Sequence, residues 1–129
     1  MSSFITNKGI EDILKSFLNV SGKNLTIKLF TNRDAPLDSS NEKDYIEAVG
    51  GGYSSKLLRG GLWLIDSRNS QAVFEKQVWE FTGPLDLSAS IFGVYIVNTK
   101  NEVLSISKFK KAIQPFNSGD VLKILPKFK

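Results

Sequence analysis

The sequence predicts a mainly β protein, an antiparallel β-sandwich or jelly roll of about seven strands with one amphipathic helix at the N-terminus. From Leu25 onward, short runs of apolar and polar residues are interrupted by turn residues about every 8 to 15 positions. Only the segment before Leu25 has helical spacing. No repeat or linker divides the 129 residues, so we expect a single domain over 1–129, with strands from about 25 to 126.

The first predicted element is a helix over residues 8–19. Its apolar positions fall at helical spacing, and they are Ile10, Ile13, Leu14, Phe17 and Leu18. Acidic residues occupy the first turns, where they complement the helix dipole, and Gly22 follows as a typical helix terminator. The apolar stripe needs a partner, and the sheet that follows is the simplest one.

The first half of the β region contains one clear strand and one long connection. Leu25–Phe30 alternates apolar and polar residues, which is typical of a strand with one buried face. Residues 31–43 are rich in Asn, Asp and Ser and are predicted to be an exposed loop. Gly50–Gly52 indicates a bulge, a bend or a close approach of two backbones. Short strands are then expected at 54–58 and 62–65.

The second half contains the strand predicted to be the most buried. Residues 88–97 are apolar on both faces, which places this strand centrally in its sheet. Residues 72–82 have no purely apolar face, so a register break is predicted near Lys76. Asn98–Asn101 is predicted to be a hairpin turn. Further strands are expected at 102–109 and 121–125.

The composition argues against an enzyme. The chain has neither histidine nor cysteine, and it therefore lacks the commonest general base and the commonest transition-metal ligands. Gly50–Gly52 lacks the spaced glycines and the lysine of a phosphate-binding loop. We expect no catalytic residue, no metal site and no cofactor. No apolar run is long enough to span a membrane, and we expect synthesis in a cytosol and no membrane partner.

The net charge of +4 comes mostly from the last third of the chain, where seven lysines stand against Glu102 and Asp120. These lysines could meet an acidic partner, or they could protect strand edges from aggregation. Six aromatic residues lie among lysines in the strands, an arrangement also found in nucleic-acid-binding sheets. Core filling explains most of them better, so nucleic acid is not an expected partner. They are Tyr53, Trp63, Trp79, Phe92, Tyr95 and Phe116.

Several stretches resemble small virion proteins of tailed bacteriophages. The resemblance covers about residues 25 to 128 and begins with Lys28–Asn32 followed by an Asp-rich loop. It continues through the stretches Tyr45–Ala48, Gly50–Leu58, Trp79–Pro84, Ile91–Tyr95 and Gly119–Ile124, and ends in a terminal Pro-x-Phe. Members of that group look like β-sandwich proteins that decorate or cement the capsid, and some are labelled tail or fibre proteins.

The resemblance implies a non-enzymatic structural protein of the virion. Its expected partners are the major capsid protein and further copies of itself, as a trimer where capsid subunits meet. The alternative is a tail or fibre module that binds a host surface glycan or another tail protein. We expect Phe4 and Ile5 to take part in the trimer or capsid contact, because apolar side chains ahead of a helix need a partner.

Overall fold

The computed structural model of the chain describes residues 24–66, 68 and 71–128. These residues form a mainly β protein in which all strand pairings are antiparallel. The prediction of a mainly β, antiparallel fold is confirmed. The helix expected over residues 8–19 lies outside the described residues, as do Phe4 and Ile5.

Nine strands occur in the described residues, where about seven were predicted. Their bounds are β1 Leu25–Phe30, β2 Lys56–Leu58, β3 Leu64–Asp66, β4 Gln71–Val73, β5 Gln77–Glu80, β6 Ile91–Val97, β7 Val103–Ile113, β8 Val121–Ile124 and β9 Lys127–Phe128. The strand orders of the three sheets are β2-β1-β6-β7, β3-β4-β9 and β5-β8. Two short 3-10 helices lie at Glu42–Asp44 and Asp86–Ser88.

The segment 72–82 is the main departure from the predicted strand pattern. It is not one strand with a register break, because β4 and β5 belong to different sheets. Phe74 leaves the end of β4 and is buried in the core, while its backbone N–H donates to the carbonyl of Pro126 at 2.9 Å. The chain then changes sheets through Glu75 and Lys76, which are both exposed. The register break predicted within one strand near Lys76 is therefore wrong, because the chain leaves one sheet there and joins another.

Strand β6 is central in the four-stranded sheet, as its two apolar faces predicted. It pairs with β1 on one side and with β7 on the other. Gly93 lies opposite Phe30 in the ladder, and a Cβ atom at Gly93 would lie 2.6 Å from Cζ of Phe30. Glycine at this position lets the phenyl ring lie against the sheet.

The main core lies on the face of this sheet that carries Ile27 and Leu29 from β1. Side chains from all three sheets meet there, including Ala72 of β4 and Trp79 of β5. Trp63 closes one end of this core by packing its ring against Phe74 at 5.1 Å between centroids. Burying such large apolar side chains stabilises the fold by about 1.5 to 3 kcal/mol each.

A second apolar cluster covers the opposite face of the same sheet. Three aromatic rings form its centre, with Tyr45 5.7 Å from Phe30 and 5.2 Å from Tyr95 between ring centroids. Ala35 packs with them. Because Ala35 and Tyr45 belong to the segment between β1 and β2, this long connection folds back over the sheet and is held there by apolar contacts.

A partly buried polar network fixes the same connection. The ammonium of Lys28 donates to Glu42 Oε1 at 2.8 Å and lies 3.8 Å from Glu47 Oε1. Tyr53 Oη donates to Glu47 Oε2 at 2.7 Å and accepts from the backbone N–H of Leu29 at 3.2 Å. The network ties the connection to strand β1, and the segment that follows Glu47 is held close to the sheet.

The raised pKa values of the three tyrosines of the chain predict how the stability of the protein changes at alkaline pH. Burial raises the pKa of Tyr45, Tyr53 and Tyr95 above the ordinary value of 10.0. The folded state holds these protons more tightly than the unfolded chain does. The contribution of these groups to the free energy of unfolding is therefore fully present below pH 10 and is lost as the pH rises above that value.

We expect phenolate absorbance to appear together with loss of near-ultraviolet circular dichroism, because the tyrosines ionise when the protein unfolds. Phenolate formation near pH 10 in a protein that keeps its circular dichroism would contradict the burial of these rings. Tyr53→Phe serves as a control for assigning the signal, since it removes one titrating group.

Candidate docking surface

Two loops lie side by side at one edge of the molecule and present an apolar surface. We call Gly50–Tyr53 the glycine loop and Pro84–Ser88 the tip loop. An isolated bridge joins Gly50 to Leu85, and the backbone N–H of Asp86 donates to the carbonyl of Val49 at 2.8 Å. These backbone contacts hold the two loops in one fixed arrangement.

The glycine loop can approach the tip loop because its first three residues have no side chains. Gly50, Gly51 and Gly52 have φ angles of 87°, 60° and 79°, in the left-handed region that favours glycine. A Cβ atom on Gly51 would lie 2.8 Å from the carbonyl oxygen of Gly83. The sequence left a bulge, a bend or a close approach of two backbones open here, and the structure shows the close approach.

The tip loop carries a leucine in an unfavourable conformation. Leu87 has φ 58° and ψ 22°, and Ser88 has φ 51°, so two consecutive residues with side chains adopt left-handed backbone angles. The left-handed region costs roughly 1 to 2 kcal/mol for an ordinary L-residue. The Leu87 side chain is fully exposed, at 102% relative accessibility. In the part of the chain that the structure describes, this leucine therefore gains no packing that could offset the strain.

The neighbours of Leu87 explain why the tip is held in place. Leu85, two residues earlier, is buried in the main core and anchors the loop. Ser88 accepts a hydrogen bond at its carbonyl from Gln114 Nε2 at 2.6 Å. Val49 is 60% exposed, and its carbonyl accepts the bond from Asp86. Two exposed apolar side chains, Val49 and Leu87, therefore stand on an anchored backbone here.

The stretches that carry the resemblance to virion proteins contact one another here. Gly50–Leu58 and Trp79–Pro84 are 20 or more residues apart in sequence, yet the N–H of Thr82 donates to the carbonyl of Gly51 at 2.9 Å. The indole N–H of Trp79 donates to the carbonyl of Ser54 at 2.8 Å. These two stretches thus form one structural unit that supports the tip loop.

A shallow depression of about 600 Å³ lies elsewhere, near the turn between β6 and β7. Two carboxylates that line it bond within the chain, since Glu102 accepts from Asn98 and Glu42 accepts from Lys28. Among the described residues, no group of three or more His, Cys, Asp or Glu side chains is placed to hold a metal ion.

The aromatic residues singled out in the sequence lie mostly inside the protein. Trp63, Trp79 and Tyr95 are buried, as the core-filling interpretation predicted, and Tyr53 is partly buried. Phe116 is 60% exposed, so that interpretation is wrong for this residue. It follows Gln114, whose side chain contacts the tip loop.

Sequence reasoning did not identify Leu87. Its local sequence, Pro-Leu-Asp-Leu-Ser, places two leucines in a segment after a strand-ending Gly-Pro pair. That pattern indicates a loop but does not show which leucine is buried. Phe4 and Ile5, the interaction residues that the sequence did suggest, lie outside the described residues.

A scan against protein-family models, a search of curated proteins and a search of solved structures found no match for this chain. In the part of the chain that the structure describes, no helix has the length and apolar character needed to cross a membrane.

Proposed function

We propose that this chain is a non-enzymatic virion structural protein of a tailed bacteriophage, and that it binds and stabilises the capsid shell as a decoration or cement protein. The observation that carries the proposal is the exposed, strained Leu87 on a loop that two of the resembling stretches support. Backbone strain persists only where the surrounding structure enforces it, and it often marks functional sites. An exposed apolar surface marks an interaction site.

The proposal includes a finer description of the fold. The four-stranded sheet and the two smaller sheets share one core, as do the two layers of a β-sandwich. We propose a β-sandwich of the decoration-protein type that acts as a trimer. A trimer at a junction between capsid subunits would present three tip loops, and their three weak contacts would together bind the trimer to the capsid by avidity.

The alternative function is a tail or fibre module that binds a host surface glycan or another tail protein. Glycan binding would use exposed aromatic rings, and Trp63 and Trp79 are both buried. The tip loop instead presents aliphatic side chains, which suit an apolar pocket on a protein. These side chains support a protein partner, although Phe116 is an exposed ring that a glycan could contact. A glycan-binding assay with the purified protein tests the glycan-binding alternative.

The test of the proposal uses capsids that lack this protein. Purified full-length protein is added, and the number of bound copies is measured by quantitative gel analysis of sedimented particles. We expect saturable binding to capsids and no binding to tails. Saturable binding to tails but not to capsids would overturn the capsid role and support the alternative.

The variant Leu87→Asn separates docking from folding, because it is expected to raise the free energy of unfolding and to lower the affinity for the capsid. Asparagine tolerates left-handed angles, so we expect the free energy of unfolding to rise by up to about 1 kcal/mol. The loss of an apolar anchor should lower capsid affinity roughly tenfold. Chemical denaturation measures the first quantity, and the sedimentation assay measures the second.

Leu62→Asn is the matched control for this variant. Leu62 is 61% exposed and lies outside the strands, far along the chain from the tip loop. We expect its replacement to leave capsid affinity unchanged. Equal effects of both substitutions would show that surface apolarity in general, and not the tip loop, determines binding.

A further inference from the structure

Strand β7, the last strand in the order of the four-stranded sheet, carries a basic protrusion. In the ladder with β6, Gly93 pairs with Lys108 and Ile91 pairs with Ile113. Residues 109–112 of β7 therefore stand opposite the single residue Phe92. Such a bulge bends the strand and redirects its side chains. Lys110 and Lys111 lie in it and are exposed.

Two further cations complete this group. The guanidinium of Arg33 lies 5.4 Å from the ring centroid of Phe92, opposite the bulge. Lys108 Nζ donates to the carbonyl of Arg33 at 3.3 Å. We call Arg33, Lys108, Lys110 and Lys111 the basic bulge. The ion pairs found in the described residues belong to Lys28, and none of them neutralises the basic bulge.

The connection after β1 carries the opposite charge. Asp34 and Asp38 are exposed, and no hydrogen bond or ion pair engages their carboxylates within the described residues. Leu37 lies between them and is 66% exposed. We call Asp34, Leu37 and Asp38 the acidic tip. An apolar side chain flanked by charges has the composition of a small interface, with an apolar centre and a polar rim.

We propose that the basic bulge of one copy binds the acidic tip of a second copy, and that this contact joins the subunits of the oligomer. The two surfaces are complementary in charge, and among the described residues neither has an ionic partner. Arg33 and Asp34 are adjacent, so each copy offers both surfaces at one side of the molecule. This inference rests on the proposed function only for the expectation of a trimer.

Electrostatics would orient the contact, and apolar burial would strengthen it. An exposed ion pair contributes about 0 to 1 kcal/mol, so one pair alone cannot hold two copies together. Several complementary pairs around Leu37 would fix the register and exclude wrong arrangements. The association should therefore weaken as salt concentration rises.

The test reverses the charge of each surface in the full-length protein. One variant carries Lys110→Glu with Lys111→Glu, and the other carries Asp34→Lys with Asp38→Lys. We expect the unmodified protein to associate, as measured by sedimentation equilibrium, and each variant alone to associate roughly tenfold or more weakly. Mixing the two variants should restore association between unlike copies, because each supplies the surface that the other has lost.

A control variant, Lys123→Glu with Lys127→Glu, makes the same change in net charge at exposed positions in β8 and β9. It should associate as the unmodified protein does. A monomeric unmodified protein, or a mixture that does not associate, would overturn the inference. These measurements need no capsid. A monomeric protein that binds capsids would therefore contradict this inference but not the proposed function. An oligomeric protein that does not bind capsids would contradict the proposed function but not this inference.

Discussion

Replacing Gly93 with alanine is expected to destabilise the protein by about 3 kcal/mol, the largest loss that we expect from a single added methyl group. The added Cβ atom would lie 2.2 Å from the carbonyl oxygen of Ser107 in the neighbouring strand and 2.6 Å from the ring of Phe30. The first contact is with backbone, so the clash is relieved only if β6 and β7 move apart. Movement there disturbs both apolar clusters, because β6 contributes side chains to each.

Chemical denaturation measures this effect, and Gly83→Ala is its control. Gly83 has no heavy atom within 4 Å of an added Cβ, and its φ angle is not positive. We expect the control to change the free energy of unfolding by less than about 0.5 kcal/mol. A Gly93→Ala protein as stable as the control would show that β6 does not pack against Phe30 and β7 as described.

Replacing Gly51 with alanine is expected to destabilise the protein by about 2 to 3 kcal/mol and to weaken docking as well. The left-handed φ angle of 60° contributes about 1 to 2 kcal/mol of this cost. The remainder comes from the contact at 2.8 Å with the carbonyl oxygen of Gly83, which is backbone. Relief of that contact requires the tip loop to move away from the glycine loop.

Gly61→Ala provides a matched control because Gly61 has the same backbone requirement without the contact. Its φ angle is 88°, and an added Cβ would meet nothing within 4 Å. The difference in stability between the two variants measures the cost of separating the loops. We expect Gly61→Ala to keep full capsid affinity and Gly51→Ala to lose part of it. Equal stabilities would contradict the close approach, and equal affinities would remove the glycine loop from the docking surface.

The sequence was most informative where burial and local pattern agree. The alternation in Leu25–Phe30 and the doubly apolar run in β6 predicted the two central strands of the largest sheet. Successive glycines indicated a bulge, a bend or a close backbone approach, because they lack the side chains that would prevent it. These features depend on the properties of the residues themselves, so they can be read without knowing what lies beside them.

The parts that the sequence did not predict depend on contacts between distant segments. After Val73 the chain changes sheets, and this change is determined by the strands that pair with β4 and β5. Strand β4 pairs with β3 and β9, whereas β5 pairs with β8. Strand β9 has two residues after a proline, too short for any local pattern. Leu85 and Leu87 have the same residue type, and only the tertiary fold buries one and exposes the other.

The role of the lysines near the C-terminus also depends on contacts between distant segments. The sequence revealed an excess of lysine near the C-terminus but left open whether these lysines meet a partner or protect a strand edge. The structure places Lys108, Lys110 and Lys111 at an edge strand, which fits edge protection, and also beside Arg33, which concentrates positive charge in one place. Both roles are compatible, since a charged edge can exclude unspecific strands and still bind a complementary surface.

The most direct test of the docking proposal is a density map of the phage particle with this chain fitted into it. We predict density for the chain on the capsid shell, with the Leu87 side chain entering an apolar pocket of the major capsid protein. Density for the chain in the tail, or on the shell with the tip loop facing solvent, would contradict the account.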